Sequence, residues 1–170
     1  MVTYANIYPM APGAGVFFAL IGIAILAGAA VPRHRDRLLL AGGVVALVTT
    51  VLLAGTLAAP HGVPTPAQIW WLVGAIALES ALVPLALHRY GDRPERTVIL
   101  MILGIVALHF LPMAPAFGWL MIVLAVAASV NILVAWKRPQ YPLRAVWAVD
   151  GAIKVSIAAP LFLSGSIATA

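Results

Sequence analysis

Five polar side chains interrupt stretches of sequence that are otherwise almost wholly apolar: Glu79, His109, Asn131, Asp150 and Lys154. Asp150 and Lys154 are four residues apart, so on a helix they share one face and pair directly. Glu79 is then a surplus acid, because one lysine cannot neutralise two carboxylates. Where water is scarce, a surplus carboxylate takes up a proton or recruits a cation. That is the chemistry of proton-coupled transport and of cation-binding sites. The competing reading is structural: Asp150–Lys154 holds helices together, and Glu79 is a neutral residue hydrogen-bonded between them. Asn131 adds an uncharged amide. His109, near the end of an apolar stretch, suits a hydrogen bond to a neighbouring carbonyl, a proton relay or a haem ligand. No second histidine matches its depth, since His34, His61 and His88 fall in or beside loops.

The elements that carry these residues follow from composition. Hydrophobic residues make up 64% of the 170-residue chain and charged residues only 9%. A soluble domain has about half apolar and about a quarter charged residues, and no soluble fold of this length hides so much apolar surface. The expected solvent is lipid. The net charge of +5 sits in short loops, which points to anionic headgroups and away from nucleic acid. The absence of cysteine excludes disulfides, thiol catalysis and cysteine-bound metal. The first residues have no positive cluster, so a cleavable signal peptide is not expected.

A spanning helix needs about 20 mostly apolar residues. Six stretches approach this length, near 12–31, 38–59, 69–87, 97–111, 119–136 and 145–163. Proline, glycine and charge separate them, including Pro112-Met113-Ala114-Pro115 after the fourth. The expected fold is a single all-α domain, a polytopic membrane helix bundle of about six spans. Two inverted three-helix halves are one way to build it.

Arg33, Arg35 and Arg37 follow the first span, Arg89, Arg93 and Arg96 the third, and Lys137, Arg138 and Arg144 the fifth. Nine of ten basic residues therefore fall on one side. Cytoplasmic loops carry such an excess. The chain is expected in a bacterial inner (cell) membrane with both termini on the non-cytoplasmic side. Trp70, Trp71, Trp119, Trp136 and Tyr141 fall at the expected interfaces.

Each charge within a span costs about 2.5 to 3.5 kcal/mol on insertion scales. With a rise of about 1.5 Å per residue, Glu79 and Lys154 lie roughly 12 and 14 Å from the cytoplasmic ends of their helices, and Asn131 and Asp150 roughly 8 Å. Glu79 is thus at a level to meet Lys154. Gly22, Gly28, Gly42, Gly43, Ala125, Ala127 and Ala128 are expected at close helix contacts. No phosphate-binding glycine loop, serine elbow or zinc-ligand helix motif occurs.

Two segments carry resemblances. Gly104-Ile105-Val106-Ala107-Leu108-His109-Phe110-Leu111-Pro112-Met113-Ala114 resembles a segment of small uncharacterised bacterial membrane proteins, in which a His-Phe pair precedes a helix-terminal proline; it implies no activity. Val149-Asp150-Gly151-Ala152-Ile153-Lys154-Val155 resembles the last helix of microbial rhodopsins, which would imply retinal on Lys154 with Asp150 as counter-ion. The chain departs from that family in having six expected spans and in lacking its arginine–aspartate–tryptophan pattern in the third.

The sequence therefore points to a small transporter or solute-binding protein with a proton- or cation-coupled site among Glu79, Asn131, Asp150, Lys154 and His109. The alternative is a non-catalytic accessory or scaffold subunit of a larger membrane complex, with a retinal-binding protein as the remote one. No nucleophile–base pair marks an enzyme. No cofactor or metal is expected, and a second copy or a membrane-complex partner is compatible with the apolar surface. The topology has a direct test. Single cysteines at positions 93 and 170 in intact cells should label from outside at 170 only. Labelling at 93 and not at 170 overturns the assignment.

Overall fold

The computed structural model describes residues 3–58 and 60–165. Ala59, which closes the expected second span, and both extreme termini lie outside them. The chain is all-α. A short helix α1 (Tyr4–Ile7) precedes six long ones: α2 (Ala11–Ala30), α3 (Arg35–Ala58), α4 (Pro66–Tyr90), α5 (Glu95–Phe117), α6 (Leu120–Lys137) and α7 (Leu143–Phe162). All six long helices have the length and apolarity to cross a bilayer, so the fold is a six-span membrane bundle.

The helix starts are written in local chemistry. Pro66 opens α4, where the missing N–H has no partner to lose. Thr65 and Gln68 form a reciprocal cap: Gln68 N–H donates to Thr65 Oγ1 at 3.2 Å, and Thr65 N–H to Gln68 Oε1 at 2.9 Å. The Gln68 amide also donates to the Ile7 carbonyl at 2.9 Å, which ties α1 to α4. Tyr4 completes the fastening, its hydroxyl donating to the Phe117 carbonyl at 2.6 Å. Burial pushes the Tyr4 phenol up to about 12.

Two expected loops are corrected. Pro112 and Pro115 lie inside α5, not after it. In lipid, an exposed non-helical backbone has no water to bond, so prolines are accommodated within spanning helices. The turn falls instead at Gly118, whose φ of +86° suits glycine and where a side chain would collide with the Tyr4 hydroxyl. Near the first basic loop, a 3₁₀ turn over Pro32–His34 leads directly into α3. Arg35 and Arg37 thus sit in the first turn of α3 with Asp36, not in a loop.

The long helices pack as an open row in the order α3, α2, α7, α6, α5, α4, with α2 also touching α5. The most extensive contact is α2 on α7. If the halves α2–α4 and α5–α7 are exchanged, the α2–α7 contact corresponds to α4–α5 and α2–α3 to α5–α6, whereas α6–α7 has no comparable counterpart between α3 and α4 among the described residues. The edge helices bury little. Ala46 is the buried residue of α3, and Gln68, Ala75 and Ala86 those of α4. Their other faces present Leu40, Leu52, Trp70 and Ile76 outward, as lipid-facing surfaces do.

Two apolar clusters fill the interior. One, around Phe18, Phe110, Phe117, Met121, Leu124 and Leu161, reaches to Tyr4. The other, around Leu100, Leu103, Ile132 and Val146, lies toward the basic loops. Small residues let α2 and α7 close up. A Cβ on Gly15 would stand 2.5 Å from the Phe162 nitrogen, one on Gly22 3.0 Å from the Gly151 carbonyl oxygen, and one on Gly151 2.9 Å from the Gly22 carbonyl oxygen. Side chains of Val155 and Leu26 also crowd Gly22 and Gly151, but moving them would leave the backbone contacts in place. Gly22→Leu is expected to cost about 3 kcal/mol, at the upper end of overpacking. Gly74→Leu, where a Cβ meets nothing within 4 Å, should leave the melting temperature in detergent unchanged or slightly higher. Equal melting of the two variants would remove the α2–α7 seam as a determinant of stability.

Candidate functional site

The interior polar residues separate into two pairs. On α7, Lys154 Nζ donates to both Asp150 oxygens at 2.6 Å. Both side chains are only 6% exposed. The ammonium also faces the Phe110 ring at 5.7 Å from its centroid, a cation–π distance. Phe110 is held edge-on by Phe18 of α2 at 5.6 Å. Asn131 of α6 donates its amide to the Val146 carbonyl at 2.9 Å. In a helix that same carbonyl serves the Asp150 N–H. Asn131 thus fastens α6 to the turn of α7 that presents Asp150. The next residue, Gly151, is the one pressed onto α2.

Glu79 does not pair with Lys154. Its Oε2 lies 3.0 Å from Nδ1 of His109, across the α4–α5 contact. Nδ1 also lies 2.5 Å from the Val106 carbonyl oxygen. A carbonyl only accepts, so the tautomer with the proton on Nδ1 is the one that makes a hydrogen bond of this contact. The side chain of His109 is 9% exposed and that of Glu79 33% exposed. Of the two pairs, this one reaches the surface of the bundle.

The length of α5 changes the place of His109. With α5 ending at Phe117, His109 is eight residues inside the helix end, roughly 12 Å deep. The histidine expected at a helix end is therefore a mid-span residue at the level of Glu79. Glu79 itself belongs to the stripe Gln68, Leu72, Ala75, Glu79, Val83, Ala86, the narrow inward face of α4. Prolines mark the same level. Pro112 has no N–H for the Leu108 carbonyl, and Pro84 none for the Ser80 carbonyl. Each of those residues adjoins a member of the pair.

Residues 5–169 match a family of unknown function, DUF6609. The chain belongs to that family. No curated protein and no solved structure matches it. Membership covers nearly the whole bundle, including all five polar residues, and brings no activity with it.

The chemistry open to the site follows from its groups. Glu79 and His109 bring a carboxylate, which accepts, against an imidazole, which both donates and accepts. Asp150 and Lys154 are neutral as a pair and hold each other so closely that neither is free for another partner. No cluster of three or more histidine or carboxylate groups suited to a metal ion occurs among the described residues. Phe110 was not visible as a site residue in the sequence beyond its place beside His109. It separates the two pairs, with its ring 4.3 Å from that of His109.

The Asp150–Lys154 pair yields an asymmetric expectation. Asp150→Ala leaves an amine buried without a partner and should cost about 3 to 5 kcal/mol. The double change Asp150→Ala with Lys154→Met removes both charges and should recover most of that loss. Folded yield and melting temperature in detergent measure both. Equal values for the single and double variants would mean that the lysine reaches water and the pair is not structural.

Proposed function

We propose that this protein is a small proton- or cation-responsive transporter or solute-binding protein of the cell membrane, with Glu79 and His109 as its working groups. The observation that carries the reading is the carboxylate–imidazole contact of 3.0 Å inside two spanning helices, one partner buried and the other partly open. Ionisable groups so placed in membrane helices mark proton and ion pathways. A carboxylate and an imidazole together bind one proton without charging the bilayer interior, and release or capture of a second changes the charge by one unit. The prolines near both residues leave carbonyls without helical donors, which suits local bending of α4 and α5 as the charge changes. Asp150–Lys154, with Asn131 and Phe110, forms the fixed wall of the site. The basic loops face the cytoplasm in this reading, and the termini lie on the other side.

A second reading, an accessory subunit without transport, is favoured by one feature. α3 is supported by α2 alone among the long helices and turns Leu40, Val44, Leu47, Val51 and Leu52 outward. That face fits a helix of a larger membrane assembly as well as it fits lipid.

Proton binding separates the readings. In vesicles containing the reconstituted protein, a pH step between about 5 and 8, where an imidazole titrates, should drive proton uptake in the wild type. Glu79→Gln mimics the protonated acid and keeps its shape. It should fold and bind fewer protons, and His109→Gln should do the same. Infrared carboxylate bands should show the missing titration directly. Uptake unchanged in the double variant Glu79→Gln with His109→Gln would remove the basis for the proton-coupled reading and leave the accessory role.

A further inference from the structure

Away from the interior pairs, a groove of about 610 Å³ opens at the end of the bundle that carries the basic loops. It is lined by Tyr90, Arg93, Pro94, Thr97, Met101 and Trp136. These residues come from the end of α4, the turn after it, the start of α5 and the end of α6. We propose that this groove binds the headgroup and upper acyl chain of an anionic phospholipid.

Its walls are fixed by a residue that does not line it. Arg96 donates to the carbonyls of Tyr141 at 2.8 Å and Ala135 at 2.6 Å, and more weakly to that of Arg138 at 3.3 Å. A guanidinium there satisfies carbonyls at the end of α6 and complements the negative end of the helix dipole. It also clamps the first turn of α5 to the α6–α7 connection. Arg96 is thereby occupied. Arg93 is exposed and forms no ion pair among the described residues. The neighbouring charges are Arg89, Lys137 and Arg138 against Asp92 and Glu95, so bases outnumber acids around the rim.

The order of chemistry along the groove matches one class of ligand. Arg93 and the exposed ring of Tyr90 stand at the rim. The exposed indole of Trp136 lies one residue before the end of α6. Thr97 and then Met101 follow into the span, the latter roughly 9 Å beyond the start of α5. A basic group, interfacial aromatics and an apolar wall at Met101 in that sequence match a negative headgroup followed by a hydrocarbon chain. A soluble anion would use only Arg93 and would leave the Met101 end without a role.

The test uses the full chain in detergent, titrated with phosphatidylglycerol or phosphatidylcholine of the same acyl chains. Bound lipid is counted by native mass spectrometry. The wild type should retain phosphatidylglycerol preferentially. One surface base contributes about 1 kcal/mol toward anionic lipid, so Arg93→Gln should lower the preference about fivefold. Arg37→Gln, at another basic loop, should leave it unchanged. Arg93 is exposed, and an unchanged melting temperature would establish that its variant is folded. Equal retention of both lipids by the wild type overturns the proposal. So does a preference that survives Arg93→Gln, or displacement of the lipid by an equal concentration of inorganic phosphate.

Discussion

A bilayer interior offers a charged side chain no water, so the arrangement of this bundle depends on how each ionised group in its spans is neutralised. Lys154 is the demanding case. An amine buried to this degree is tolerated only beside a counter-charge with good geometry, and Asp150 supplies it from the preceding turn of the same helix. Because the pair is local to α7, no neighbouring helix has to provide a charge. The neighbours have only to exclude solvent and meet the remaining polar edges. α2 comes close through Gly15 and Gly22, α5 presents the face of Phe110, and α6 sends the Asn131 amide to the adjacent turn. The tightest helix contact and the most buried charges therefore occupy the same part of the molecule.

This local neutrality also determines what remains for Glu79. Had Lys154 been shared, Glu79 would have been drawn toward α7 and the middle of the row. It instead lies on the narrow inner stripe of an edge helix and takes His109 as partner. The two pairs differ in kind. A carboxylate with an ammonium sets two opposite charges against each other. A carboxylate with an imidazole includes one group that is charged only when protonated.

The sequence was legible where one physical rule acted on many residues. Apolar length and the one-sided distribution of arginine and lysine led to six spans, and the i, i+4 spacing led to Asp150–Lys154. It was misleading where a local rule met the bilayer. Pro112 and Pro115 read as a helix end, because in water a proline in a helix is replaced by better alternatives. Inside lipid there are none, so α5 continues to Gly118 and carries His109 to mid-span. That single misplacement hid the Glu79 partner. The heptad spacing of Gly15 with Gly22, and of Gly151 with Ala158, was present in the sequence and marks the α2–α7 seam. What the sequence could not show is which helices that are not consecutive become neighbours, because lipid-facing and buried faces are alike in apolarity.

The open row has a mechanical consequence. α7 is bounded by α2 on one side and α6 on the other, so changing the Asp150–Lys154 pair would require repacking both. α4 is bounded chiefly by α5. Its contact stripe is one residue wide per turn and includes small side chains such as Ala75 and Ala86. α4 is held at its start by the hydrogen bond from Gln68 to Ile7 and within the span by Glu79 against His109. Glu79–His109 therefore sits at the contact of α4 with one neighbouring helix, whereas Asp150–Lys154 sits on a helix held from both sides.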